Sequence, residues 1–179
     1  MNAVSERLAA VRGLLAAAGI DAFVVPRADE YLGEYIPAHN ERLRWISGFT
    51  GSAGAAIILA QRAAIFVDGR YTVQVRGEVD SELFEYHHLV EESPAAWLAT
   101  QLPAGSVVAC DPRMHSLRWY RETLATLEKV GVELRATTDN PVDEAWQDRP
   151  APLVKPALLL DEAYTGESSR RKRERIAAE

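Results

Sequence analysis

Two apolar runs, Ala55-Ala56-Ile57-Ile58-Leu59 and Ala63-Ala64-Ile65-Phe66-Val67, are separated only by Ala60-Gln61-Arg62. Each has the length and apolar content of a buried strand. A parallel crossover needs a dozen or more residues, so these two strands must run antiparallel. The remaining strand candidates are Ala22-Phe23-Val24-Val25, which stops at Pro26, then residues 84–87, 107–110 and 132–136. These alternate with helical segments. The sequence therefore predicts an α/β fold: a mixed, mostly parallel sheet with one antiparallel hairpin and helices on both faces.

The helices have local signals. Val4, Leu8, Val11, Leu15 and Ala18 recur at helical spacing and Gly19 follows, which predicts a helix over 5–18. Residues 41–47 form a short helix that buries Leu43, Trp45 or Ile46 and ends at Gly48. A further helix is expected over 70–79. Ser93-Pro94 supplies a hydroxyl cap followed by proline at the first helical position, with Trp97, Leu98 and Leu102 on the buried face. Ser116 caps a helix whose Leu117, Tyr120, Leu124 and Leu127 share one side, and Gly131 lies just past its end. The stretch 27–40 has no clear period and reads as a structured loop with one helical turn.

Composition narrows the function classes. Of 179 residues, 47% are apolar, as in a packed domain, and no apolar stretch approaches the roughly 20 residues of a membrane span. The opening Met1-Asn2-Ala3-Val4-Ser5-Glu6 lacks a leader's basic start and apolar run. The single cysteine, Cys110, excludes an internal disulfide and a thiolate zinc cage. The expectation is a cytoplasmic domain without a membrane partner. Five basic residues fall in the last ten, leaving residues 1–166 with fifteen basic and twenty-three acidic groups. Such a body repels a phosphate backbone, so nucleic acid is not an expected partner.

Candidate chemistry is sparse. In Gly48-Phe49-Thr50-Gly51-Ser52-Ala53-Gly54 the order is helix, glycines, strand, the reverse of a phosphate loop, and no Lys-Ser/Thr follows. Asp68 ends an apolar strand as a phosphoacceptor aspartate does, but the first strand ends Val25-Pro26-Arg27 without the acidic pair that holds Mg²⁺. His39, His87, His88 and His115 have no helical zinc spacing. Asp29, Glu30, Glu34 and His39 have donors suited to a cation, against which stands a solvated acidic loop. Ser52 and Cys110 have no evident base. Trp45, Trp97, Trp119 and Trp146 read as core or interface aromatics. The residues expected to face a cleft or a partner are polar or aromatic ones beside the glycine turns: Tyr31, His39, Arg44, Asp68 and Arg70. Pairing of Asp68 with Arg70 or Arg44 is the equal alternative.

Arg149-Pro150-Ala151-Pro152 and Lys155-Pro156 read as an exit linker. Residues 1–150 are then one domain, 151–166 a linker, and 167–179 the first helix of a second domain, capped by Ser168 or Ser169. Glu174-Arg175-Ile176-Ala177-Ala178 nearly repeats Glu6-Arg7-Leu8-Ala9-Ala10, which points to a second copy of the same fold.

The stretch Asp29-Glu30-Tyr31-Leu32-Gly33-Glu34-Tyr35 through Asn40-Glu41-Arg42, followed by the Ser47–Gly54 segment, resembles the N-terminal domain of Xaa-Pro aminopeptidases in the creatinase/prolidase superfamily. Val67-Asp68-Gly69-Arg70-Tyr71, the run from Asn140 to Pro150 and Tyr164-Thr165-Gly166 continue the likeness. It is strongest to the three-domain branch. That resemblance implies a creatinase N-terminal-like fold with no catalytic residue or metal ligand in this chain. Its role would be packing or oligomerisation and shaping access to the catalytic cleft. The parent would be a metalloaminopeptidase that cleaves before proline in X-Pro peptides, using two divalent ions, commonly manganese, in a domain beyond this sequence. The implied partners are the remaining domains of the polypeptide and a second copy of it. A stand-alone assembly module, and the N-terminal domain of a prolidase or creatinase, remain the alternatives.

Overall fold

A computed structural model describes residues 3–179. Met1 and Asn2, which open the stretch read for a leader, lie outside the described residues. In chain order the elements are α1 (Ala3–Ala17), β1 (Ala22–Pro26), α2 (Arg42–Ser47), β2 (Gly54–Leu59), β3 (Ala63–Val67), α3 (Gln74–Glu78) and β4 (Glu85–His88). Then follow α4 (Pro94–Gln101), β5 (Val107–Cys110), α5 (Leu117–Glu128), β6 (Glu133–Ala136), α6 (Pro141–Ala145), α7 (Glu162–Thr165) and α8 (Ser169–Ala177). Two 3₁₀ turns, Ala38–Asn40 and Pro112–Met114, precede α2 and α5.

The strands form one six-stranded sheet in the order β4-β3-β2-β1-β5-β6. β2 and β3 make the antiparallel hairpin, and the pairs β1–β5, β3–β4 and β5–β6 are parallel. β1 also runs against β2, so β2 alone opposes the other five strands. The reason is that residues 27–53 turn back at the end of the sheet where β1 finishes. As a consequence, the start of β2 sits beside the carboxyl ends of its neighbours. The motif loops after β1, β3, β5 and β6, and the one before β2, gather along a single edge.

The two-residue period of the strands sorts the core into two layers. Phe23, Val25, Ala56, Ile58 and Ile65 point to one side, where Leu8, Val11 and Leu15 of α1, Leu43 and Ile46 of α2 and Val142 of α6 cover them. Val24, Ile57, Ala64, Phe66 and Val108 point to the other side, beneath Trp97 and Leu98 of α4 and Leu127 of α5. Helices therefore cover both faces. The Ser93 and Ser116 hydroxyls accept the Ala96 and Trp119 N–H groups and open α4 and α5 as expected. Gly48 closes α2 at φ +86°, a conformation in which a side chain would be strained.

Some expectations differ from the structure. The helix expected over 70–79 is reduced to Gln74–Glu78, because Asp68 takes the Arg70 N–H on its side chain and the Tyr71 N–H on its carbonyl, forming a turn instead. Leu117 is 62% exposed. It is the first residue of α5, and helical side chains lean toward the N-terminus, off the packed turn. Tyr120, Leu124 and Leu127 lie inward as expected, joined by Trp119 and Thr123. α6 was not anticipated as a helix, although Asn140-Pro141 is a cap followed by proline at the first position; Asn140 accepts the Val142 N–H. Residues 151–160 run without helix or strand and are exposed throughout, and Ser168 caps α8.

Candidate functional site

The carboxyl edge holds a buried ionic network and, outside it, a polar rim. Arg42 is the centre of the first and is only 2% exposed. Its Nε donates to Asp143 Oδ1 at 2.6 Å and its Nη2 to Asp143 Oδ2 at 2.9 Å, a bidentate pair bridging α2 and α6. Its Nη1 donates to Asn40 Oδ1 at 3.1 Å, and Glu30 lies 3.7 Å away. Asn40 donates its amide to Glu30 at 2.9 Å. Arg149 reaches in from the other side, pairing with Asp143 at 2.7 Å and donating to the His39 carbonyl at 2.7 Å and to Asn40 Oδ1 at 3.2 Å. Nearby, buried Asp111 accepts from Arg113 and from Asn140. Burial pushes the Asp111 carboxyl upward, but the Arg113 and Asn140 hydrogen bonds outweigh it and leave it below the usual range.

Two of the four loop residues with donors suited to a cation are already engaged. Asp29 is buried rather than solvated, and its Oδ1 accepts the Tyr31 and Gly33 N–H groups at 3.0 and 2.9 Å. Those bonds hold Leu32 at φ +52°, which costs a non-glycine residue roughly 1–2 kcal/mol. Glu30 is committed to Asn40 and Arg42. Among the described residues no group of three or more His, Cys, Asp or Glu is placed to hold a metal ion. The residues present do not fit the family's paired-metal centre. Cys110 is equally unsuited to nucleophilic work: burial, then neighbouring Asp111, push its thiol up to about 12.

The rim is made from the glycine turns. Asp68 and Arg70 form a bidentate pair, with Arg70 Nε 3.0 Å from Oδ1 and Nη2 2.6 Å from Oδ2. Hydrogen bonds from Arg70 hold the Asp68 carboxyl below its ordinary range. The Arg70 guanidinium lies 5.1 Å from the Tyr71 ring centre, and the Tyr71 hydroxyl meets Ser52 at 2.6 Å. Arg27 donates to the carbonyls of Glu34 and Ser52, so the 27–35 loop, the 48–54 turn and the 68–71 turn adjoin. Glycine at 51 has a packing reason: a Cβ there would fall 2.2 Å from the Phe49 ring. Thr50 donates its N–H and hydroxyl to Glu78.

Of the five residues singled out from the sequence, Asp68 and Arg70 are brought together. Tyr31 stands 89% exposed on the adjoining loop. Arg44 lines a separate cleft of about 390 Å³ with Arg7, Thr50, Trp45 and Trp146, whose indole rings stack at 5.5 Å. His39 is half-buried, and its carbonyl belongs to the ionic network through Arg149. The sequence reading missed Arg42, Asn40, Asp143 and Arg149 as a unit, although all four lie in the motif runs. Arg42 and Asp143 are 101 positions apart, and no local pattern signals their pairing.

Residues 7–141 match the Creatinase/Prolidase N-terminal domain family. Xaa-Pro aminopeptidase 2 of Homo sapiens is 36% identical over 161 residues, which is 89% of this chain and 24% of the human protein. The X-prolyl aminopeptidase of Caenorhabditis elegans, described as a cytosolic enzyme with a di-nuclear active site, superimposes with a TM-score of 0.86 at 28% identity. It covers 98% of this chain and 31% of its own. The N-terminal domain of a cytoplasmic peptidase from Mycobacterium tuberculosis shares the fold, with a TM-score of 0.58 at 23% identity, over 78% of this chain and 98% of that one. This chain spans about a quarter of the length of the aminopeptidase relatives it matches. With the family model matched over residues 7–141, well over half of its length, the chain belongs to the creatinase/prolidase N-terminal domain family.

Proposed function

We propose that this chain is the non-catalytic N-terminal domain of a metal-dependent Xaa-Pro aminopeptidase of the three-domain kind, working in the cytoplasm. The observation that carries the reading is the asymmetry of coverage: nearly all of this chain aligns with a quarter to a third of aminopeptidase relatives. Hydrolysis of the bond before proline, and the two divalent ions, commonly manganese in this family, belong to the remainder of the polypeptide. Residues 1–150 form the domain, 151–166 the linker, and 167–179 the first helix of the next domain.

The domain's own work is packing within the polypeptide or between two copies, and shaping access to the catalytic cleft. Tyr31, Asp68 and Arg70 would serve it from the rim loops, Arg44 from the neighbouring cleft on α2 and His39 from the turn between them, offering aromatic and cationic groups that the sheet holds in place. The full-length protein should hydrolyse an X-Pro peptide, and the 179-residue chain should not. Turnover by the short chain alone overturns the reading. For the rim, Arg44→Ala and Arg70→Ala in the full-length enzyme should alter assembly or kcat/KM; if both stay at wild-type values, the rim has no such role.

A further inference from the structure

Residues 153–160 form an exposed apolar strap. Leu153, Val154, Leu158, Leu159 and Leu160 lie on chain without helix or strand, with Leu159 99% and Val154 89% exposed. Large apolar side chains take five of its eight positions, so no regular face of the segment is left polar. A segment apolar on both sides is stable only when both are covered, whereas one lying on a flat surface keeps a polar outer side. The strap carries a single charge, Lys155.

Its point of departure is fixed. Arg149 precedes the strap and is held at three points, by Asp143, the His39 carbonyl and Asn40 Oδ1. Pro150 and Pro152 then restrict the chain. The strap thus leaves from the base of the loop that presents Tyr31. In the Caenorhabditis elegans enzyme, the part equivalent to 98% of this chain is 31% of a longer polypeptide, so most of that polypeptide lies outside the matched part, and the matching family is described as an N-terminal domain.

We infer that the strap is an interface element clasped on both sides by the part of the same polypeptide that follows it, and that Arg149 is the positioning residue that aims it. This rests on the proposal that a longer polypeptide exists. The test is limited proteolysis with thermolysin, which cuts beside large apolar residues, on the full-length protein and on the 179-residue chain. Cleavage within 153–160 should be about a hundredfold slower in the full-length protein. Leu158→Asp with Leu159→Asp in the full-length protein should raise that cleavage at least about tenfold, and Arg149→Ala should raise it while Arg118→Ala, at an exposed helix position, leaves it unchanged. Equal cleavage in the two wild-type proteins overturns the inference, as does protection of the short chain by its own dimerisation, read by light scattering. X-Pro hydrolysis measured on the same full-length sample separates the two claims. An active enzyme with an open strap defeats only the interface, and an inactive protein with a protected strap defeats only the peptidase reading.

Discussion

Arg42 and Arg70 each grip an aspartate through two parallel hydrogen bonds, Arg42 on Asp143 and Arg70 on Asp68. The chemistry is the same and the setting is opposite. Arg42 is buried and ties together elements a hundred residues apart, whereas the Arg70 side chain is 66% exposed and grips a residue two positions away. A buried pair has been taken out of water, so removing one partner leaves an uncompensated charge in a poor solvent. An exposed pair is already solvated and screened, so its loss is made good by water. The inner network therefore holds the carboxyl edge together, while the outer pair contributes little to holding the fold.

The largest test of that contrast is Arg42→Ala. It takes two charged hydrogen bonds from Asp143, leaving Arg149 as its partner, and empties the space of a buried side chain, so it should cost on the order of 3 kcal/mol in urea unfolding; Arg42→Lys should recover only part, because an ammonium cannot grip both carboxylate oxygens. A loss indistinguishable from that of an exposed arginine would break the comparison.

The second test uses pH. Burial depresses His115 to about 4, and its ring stacks on Trp119 with centroids 3.6 Å apart. The unfolded chain takes up this proton near pH 6.5 and the folded chain only near 4. Stability from this group is thus complete above about pH 6.5 and declines as pH falls toward 4. Between about pH 7 and about pH 4.5 the loss should be on the order of 2 kcal/mol. His115→Phe should remove most of that slope in paired urea titrations, and an unchanged slope would contradict the assignment.

A smaller effect is expected at a helix start. Ser116→Ala removes the hydroxyl that accepts the Trp119 N–H and should cost about 1 kcal/mol by thermal or urea unfolding, with Ser116→Asp restoring it. The smallest belongs to the outer pair. Asp68→Asn should leave the urea midpoint of the chain unchanged; a clear shift would show that the rim is structural after all.

Legibility in the sequence followed the range of the interaction. The hairpin was readable because three residues between two strands permit one geometry, and the caps at Ser93 and Ser116 because a cap acts within one turn. Among the rim residues, the sequence left Asp68 to pair with Arg70 or Arg44, as an equal alternative to facing a cleft, and the structure gives Arg70. α6 left a local sign in Asn140-Pro141 that a fuller reading would have used. Arg42 left none: a cation in a short apolar helix looks like a surface residue until the strand order places Asp143, Asn40 and Arg149 around it.

By itself the sequence determined most of the strands and helices, the antiparallel hairpin, and the family, since each rests on spacing or on motifs contiguous in the chain. The tertiary structure alone decided that β2 opposes every other strand, that five motif loops meet at one edge, and that one arginine there is buried while another is free. Those outcomes depend on which distant groups share a dry interior, and desolvation is a property of the assembled fold rather than of any stretch of chain.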